Sequence, residues 1–282
     1  MRAFVDLFKL RIGVAIAVAA AAGLAVQPGA LGAGPAVALV LAVLVASAAA
    51  GAFNQYVERD IDARMARTRR RPFVTGALRH GPFWLGVIGV LLAAAVATAA
   101  IATNAVAALH VFLGAFTYGV IYTVWLKRRT WWNIVVGGLA GSFAVLAGAA
   151  AVNPAPGPAA MALALVLFLW TPPHFWSLAI TCREDYTAAG VPMLPVVVGD
   201  ARAAGAIWVG AWLLVLASLL PATLGLGPLY LACAVAGGAH FLSRCGALRR
   251  APGPATARAA FLASLVQLCA VLGGAMADAA LR

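Results

Sequence analysis

PAVALVLAVLVASAAAGAFNQYVERDIDARMARTRRRP, Pro35 to Pro72, changes character at one point. Up to Phe53 it holds no charged side chain and is built from alanine, valine and leucine. From Asn54 onward it carries Glu58, Asp60, Asp62 and six arginines. A helix needs about 20 apolar residues to cross the hydrocarbon of a bilayer. The first part therefore reads as a membrane span, and the second as the loop at its charged end.

Runs of the same length recur along the whole chain. Nine spans are expected, at 12–29, 34–53, 82–102, 105–125, 132–152, 159–181, 204–223, 228–246 and 258–279. Breakers stand at the joints: Pro28-Gly29, Asn104, Asn153-Pro154, Gly225 to Pro228, and Pro252 to Pro254. With 64% hydrophobic and 10% charged residues, a soluble domain is excluded. The expected fold is all-α, a polytopic transmembrane bundle, with residues 1–282 as a single domain because no hydrophilic segment is long enough to fold alone. No cleavable signal peptide is expected, since the first apolar run leads into Pro28 and glycines and further spans follow. Cys182, Cys233, Cys245 and Cys269 have no CxxC spacing and read as small hydrophobic residues.

The net charge is +12. Placed on this topology, it points to a lipid bilayer as the partner and not to nucleic acid. Segments 1–11, 54–81, 126–131, 182–203 and 247–257, with Arg244 and Arg258, hold nineteen of the twenty Lys and Arg residues. The loops on the other side hold none, leaving only Arg282 there. Basic residues mark the cytoplasmic side, so the N-terminus is expected inside and the C-terminus on the opposite side. Seven of the eight acidic residues lie with the cations, Asp278 being the exception. Topology is nearly indifferent to acids, so their gathering needs another reason.

Asn54, Glu58 and Asp62 are spaced i, i+4, i+8, which on a helix puts three oxygen donors on one face. Three hard oxygens suit Mg²⁺, which takes one or two carboxylates and fills its remaining sites with water and substrate phosphate. Asp60 points elsewhere and is expected to pair with Arg64. Arg67, Arg69, Arg70 and Arg71 follow, and arginines beside such a site suit phosphate. An ordinary basic loop accounts for these arginines equally well, but it leaves the acidic ladder unexplained.

REDYTAAGVPMLP, Arg183 to Pro195, offers Glu184 and Asp185 at the same expected depth. With the first cluster these could hold two Mg²⁺ ions about one diphosphate; an exposed acidic turn is the alternative. YTVWLKRRT, Tyr122 to Thr130, adds Lys127, Arg128 and Arg129, either as topology signals or as a diphosphate clamp. In WTPPHFW, Trp170 to Trp176, a double proline breaks the helical hydrogen bonding of the sixth span at membrane depth, tolerated only where the backbone faces protein or a cavity, and His174 sits there. His110 and His240 lack such neighbours and read as structural.

These stretches together resemble the UbiA-type intramembrane prenyltransferases, and within them the branch that farnesylates haem. The first aspartate-rich motif of that family reads here as Asn54, Glu58 and Asp62, continuing through Met65, Arg67, Thr68, Arg71 and Pro72. TVWLKRRTWWNIVVGG, WTPPHFWSLAI and REDYTAAGVPMLPVVVG are similar to its other signatures, and the likeness spans positions 9 to 200. Two departures stand out. Leu10 replaces a usual proline, and Ser142 to Ala151 replaces a stretch that commonly carries two prolines and a tryptophan, which bears on the shape of the acceptor pocket.

The resemblance implies nine helices around a central cavity opening toward the charged side, in a bacterial cytoplasmic (inner) membrane. It implies transfer of farnesyl from farnesyl diphosphate to a vinyl group of haem B, giving haem O, with a haem A synthase as a possible downstream partner. Asn54, Glu58 and Asp62, with Glu184 and Asp185, are the expected metal ligands. Arg67, Arg71, Lys127, Arg128 and Arg183 are the expected diphosphate contacts. Tyr118 and Tyr122, a turn apart, offer π faces to an allylic cation. His174 is expected to ligate or orient the haem iron. Two other readings stay open: the same chemistry on another aromatic or tetrapyrrole acceptor, and a transporter built on the proline-broken sixth helix.

Overall fold

The computed structural model describes residues 2–281; Met1 and Arg282, the latter being the one basic residue assigned to the far side, lie outside them. The described residues are helical, without strands. A short helix, Arg2–Leu7, leads into α1 (Leu10–Val26) through Lys9, which adopts the left-handed conformation at φ 47° and ψ 43°. There follow α2 (Ala33–Val57), α3 (Pro82–Ala102), α4 (Ala105–Leu126), α5 (Asn133–Val152), α6 (Pro158–Thr181), α7 (Asp200–Thr223), α8 (Pro228–Arg250) and α9 (Pro254–Ala280). α2 to α9 are long and apolar enough to cross a membrane, and α1, at 17 residues, falls just short of them. This is a polytopic membrane protein.

The sequence dictates most of the boundaries. α3, α6, α8 and α9 each open on a Gly-Pro pair, with the proline at the first helical position. There its missing N–H costs nothing. Asn104 caps α4: its Oδ1 accepts from the N–H groups of Val106 and Ala107 at 3.0 and 2.9 Å, and its Nδ2 donates to Ala150 O of α5 at 2.7 Å. The first span differs from expectation at both ends. It begins at Leu10 and stops at Val26, because Gln27 turns to extended backbone ahead of Pro28.

Each helix packs on the next, α9 returns to α1, and α1 also packs on α5 and α6 on α9. Small residues permit the closest of these approaches. A Cβ added to Gly23 of α1 would overlap the backbone of Val145, and one added to Gly148 of α5 would overlap Ala20 O. The two glycines face reciprocal positions of one helix pair, the small-residue packing that lipid, offering no hydrophobic drive between helices, requires.

Several helices depart from regular α geometry, α5 at Gly138 and α7 at Ser218–Leu219 among them. The last ten residues of α4, Thr117–Leu126, form a π-helix, a widening associated with functional sites. In α6 the hydrogen bonding breaks at Pro172 and Pro173 as expected, yet the helix runs on through them. Pro172 deprives the Phe168 carbonyl of its donor, and Gly138 of α5 lies against that carbonyl, where a Cβ would stand 3.2 Å from the oxygen. The neighbouring helix thus covers the defect. Four cysteines are free: Cys245 is buried, Cys182 and Cys233 half-buried, and Cys269 exposed.

Candidate active site

α2 ends at Val57, and Glu58, at φ −90° and ψ 12°, bends the chain into a short helix, Arg59–Ala63. The bend preserves the four-residue register, because Glu58 N donates to Asn54 O at 2.9 Å and Asp62 N to Glu58 O at 2.8 Å. Asn54, Glu58 and Asp62 therefore remain stacked, and all three are buried, at 2%, 1% and 1% exposure.

Each ladder residue meets a cation from another part of the chain. Lys9 Nζ lies 2.5 Å from Asn54 Oδ1 and 3.1 Å from the Tyr118 hydroxyl. Lys127 Nζ lies 2.6 Å from both Glu58 oxygens. Arg71 Nη1 contacts the two Asp62 oxygens at 2.7 and 2.6 Å and stands 3.9 Å from Glu58. Removing one partner of such a buried pair typically costs about 3–5 kcal/mol. Burial lowers the pKa of the Lys9 ammonium well below the lysine norm, and Arg71 and Lys127 add to this. Burial likewise raises the Asp62 carboxyl, against the pull of Arg71.

The orientation of Asn54 is fixed from behind. Thr123 donates its hydroxyl to Tyr118 O at 2.8 Å, a five-residue offset supplied by the π-helix, and accepts from Asn54 Nδ2 at 2.9 Å. The amide oxygen is left facing Lys9. The Tyr118 and Tyr122 rings are stacked, with centroids 5.5 Å apart and planes 15° apart. Gly137 of α5 makes room for them, since a Cβ there would lie 3.0 Å from the Tyr122 ring.

These groups surround a cavity of about 400 Å³. Lys9, Asn54, Glu58, Arg71 and Lys127 line it together with Tyr118, Tyr122, Phe175 and Leu178, and the phenol rings lie against the cations, Lys9 Nζ 5.7 Å from the Tyr118 centroid and Lys127 Nζ 5.6 Å from that of Tyr122. Arg67, Arg70 and Tyr186 also line it, the Arg67 guanidinium lying 3.5 Å from the Tyr186 hydroxyl. Asp62 stands behind Arg71 and does not line the cavity itself. A second hollow, about 530 Å³, lies on the outer side of the same loop beside Tyr56, Arg59 and His80. Its carboxylate, Asp60, is spent on Arg128 at 2.8 and 2.7 Å, so Asp60 pairs with Arg128 and not with the expected Arg64. That ion pair holds the Asp60 carboxyl below its ordinary value.

The second acidic motif reaches the first loop by another route. Asp185 accepts from the N–H groups of Ala66 and Arg67 at 2.9 and 3.2 Å, tying the two loops together. Glu184 is exposed, and Arg183 lies 3.6 Å from Asp200; neither lines the cavity. Among the described residues, no three His, Cys, Asp or Glu side chains gather as a metal cluster. The ladder's donor set is two carboxylates and one amide.

His174, 7% exposed, is held between the Trp170 and Phe261 rings at 4.0 and 4.6 Å, one turn deeper along α6 than Leu178. Its Nδ1 lies 2.6 Å from Ser264 Oγ, whose hydroxyl donates to Phe261 O at 2.6 Å. Lys9, Thr123 and Tyr186 were not singled out from the sequence. Lys9 looked like a topology signal, and the role of Thr123 depends on a π-helix that no motif announces.

Packed apolar helices throughout the described residues, with an oxygen ladder, cations and stacked phenols around a cavity at one end, match a known class. The chain belongs to the UbiA prenyltransferase family, whose profile matches residues 14–266. It is a membrane prenyltransferase. Within that family it is 56% identical over 280 residues to protoheme IX farnesyltransferase 2 of Paramagnetospirillum magneticum, covering 99% of this chain and 97% of that protein. It is 50% identical to protoheme IX farnesyltransferase 1 of the same organism, over 86% of this chain and 85% of that one. Two solved structures share the fold. One, described as digeranylgeranylglyceryl phosphate synthase, superposes at a TM-score of 0.78 with 17% identity over 98% of each chain. The other, a UbiA homologue from Archaeoglobus fulgidus bound to DMAPP and Mg²⁺, superposes at 0.74 with 18% identity over 99% of each chain.

Proposed function

We infer that residues 1–282 act as one domain that transfers the farnesyl group of farnesyl diphosphate to a vinyl group of haem B, producing haem O. The observation that carries this reading is the buried Asn54–Glu58–Asp62 ladder beside a cavity lined by both cations and phenols. The relatives at 56% and 50% identity, both protoheme IX farnesyltransferases, favour haem over other acceptors.

The donor set fits Mg²⁺, offering two carboxylates and an oriented amide oxygen with space left for phosphate. Mg²⁺ held by Asn54, Glu58 and Asp62 would supply charge stabilisation to the departing diphosphate. Lys9, Arg67, Arg71 and Lys127 line the cavity where the diphosphate would lie, and they stabilise charge that grows on its oxygens as the allylic C–O bond breaks. Tyr118 and Tyr122 face the allylic carbon with electron-rich rings and exclude water from it. The vinyl group attacks, and water captures the cation that forms on the haem side. Asp185 acts by holding the first loop closed through Ala66 and Arg67; for Asp185 to take a second ion, those two bonds must open. Arg128 supports the loop from outside through Asp60. His174 would orient the haem through iron only where the Trp170 and Phe261 rings that enclose it part.

The protein sits in the bacterial inner membrane, with the N-terminus and the cavity mouth cytoplasmic and the C-terminus opposite, as the one-sided distribution of cations favours. A haem A synthase would consume the product. The test is a chromatogram of haems extracted from cells lacking and cells expressing the chain. The reading predicts a new, more hydrophobic haem carrying a hydroxyethylfarnesyl group, and unchanged haem B alone would contradict it.

A further inference from the structure

Every oxygen donor of the ladder is already taken, each by a different cation from a different segment. Lys9, ahead of α1, holds Asn54 Oδ1 at 2.5 Å. Lys127, at the end of α4, holds both Glu58 oxygens at 2.6 Å. Arg71, beyond the first loop, holds both Asp62 oxygens at 2.7 and 2.6 Å. A divalent cation arriving alone meets positive groups on its ligands, and displacing them strands those groups without counter-charge in a protein-walled hollow, which is unfavourable. A diphosphate arriving with the metal changes the balance. Lys9, Lys127 and Arg71 all line the same cavity, so its oxygens would give each displaced cation a new partner.

On the reading that the ladder holds the metal, we propose that Lys9, Lys127 and Arg71 are exchange cations. They occupy the ladder oxygens in the empty site and pass to the diphosphate oxygens on binding, so divalent metal is admitted only together with a prenyl diphosphate. Lys9 gains a role beyond topology, for which its left-handed backbone aims the side chain at Asn54 instead of along α1. Metal and diphosphate are then positively coupled, and linkage requires each to tighten the other by the same factor.

Equilibrium dialysis of the full chain in detergent tests this with Mn²⁺ and farnesyl S-thiolodiphosphate, an unreactive analogue. The analogue is present in both compartments, so chelation in solution cancels. The expected result is excess Mn²⁺ on the protein side with the analogue present, with affinity at least about tenfold weaker in its absence, within the usual 5–150-fold range of such coupling. Lys127→Gln is expected to raise the affinity for Mn²⁺ alone, because it leaves Glu58 uncovered. Wild-type protein that binds Mn²⁺ equally well with and without the analogue would overturn the exchange while leaving the metal site standing. Analogue retained with no Mn²⁺ at any concentration would overturn the metal reading itself. Because diphosphate oxygens completing the metal's shell would couple the two by themselves, coupling unchanged from wild type in Lys127→Gln, or in Lys9→Gln where the first variant does not fold, would also overturn the exchange.

Discussion

Asp62 is 1% exposed and bound by Arg71, so it contributes to folding before it contributes to chemistry. Asp62→Asn keeps the shape and removes the charge. Farnesyl transfer is expected to fall at least about 100-fold, the usual effect of losing one electrostatic stabiliser, as measured by single turnover in detergent. Activity within threefold of wild type would remove Asp62 from the site. Thr123→Val tests the orientation of the Asn54 amide. Two hydrogen bonds of about 1 kcal/mol each are lost and the Asn54 Nδ2 is left unpaired, so the Mg²⁺ concentration for half-maximal transfer should rise several-fold and the midpoint of thermal unfolding should fall modestly. The ladder itself was legible in the sequence, because a four-residue spacing means one helix face whether or not the helix bends at Glu58. The contribution of Thr123 was not, because its bond to Tyr118 O spans five residues and exists only where α4 widens. His174 stood out as an ionisable residue in an apolar run, but its burial between Trp170 and Phe261, away from the cavity wall, depends on α9, ninety residues downstream.

Helix pairs set how close the segments carrying those residues can come. The α1–α5 contact rests on Gly23 and Gly148, where any side chain overlaps the partner backbone. Gly148→Val should lower the midpoint of thermal unfolding in detergent, since overpacking typically costs about 1–3 kcal/mol. Gly273→Ala, in α9 with open space around it, should be neutral or slightly stabilising. At the loop, Arg128 depresses the Asp60 carboxyl below its ordinary 3.8. A depressed carboxylate contributes stability that is complete above the unfolded value and is lost as pH falls through the folded one. The protection that the Asp60–Arg128 pair lends Arg59–Ala63 should therefore be complete from neutrality down to about pH 4 and be lost below it, by under about 1 kcal/mol for so exposed a pair. It is read as the difference in amide exchange between wild type and Asp60→Asn, in which the contribution of the raised Asp62 carboxyl in the same segment cancels. Span positions were readable from apolar length and Gly-Pro joints, and the shift of α1 to Leu10–Val26 reflects Gln27 leaving the helix before the proline. The proline pair in α6 was readable as lost hydrogen bonds, but that the helix continues was not, because Gly138 of the neighbouring α5 lies over the freed carbonyl.

Across the whole molecule, one end gathers the charge and the rest is apolar enough to lie in lipid. Distant segments meet at that end: the residues before α1, the loop after α2, the end of α4 and the loop after α6. The sequence showed that these segments share a face through the sign of their charges, but it could not pair Lys9 with Asn54 or Asp185 with the backbone of Ala66, since those contacts exist only once the helices have packed. The account stands on farnesyl transfer from a metal-bound diphosphate to haem, and reconstitution reads that directly. Purified protein in lipid vesicles is given farnesyl diphosphate, Mg²⁺ and an equal mixture of haem B and 4-hydroxybenzoate, and the products are resolved by mass. The account predicts hydroxyethylfarnesyl haem, abolished by EDTA and restored by Mg²⁺. Prenylated 4-hydroxybenzoate beside untouched haem B, or haem product formed undiminished in EDTA, would contradict it.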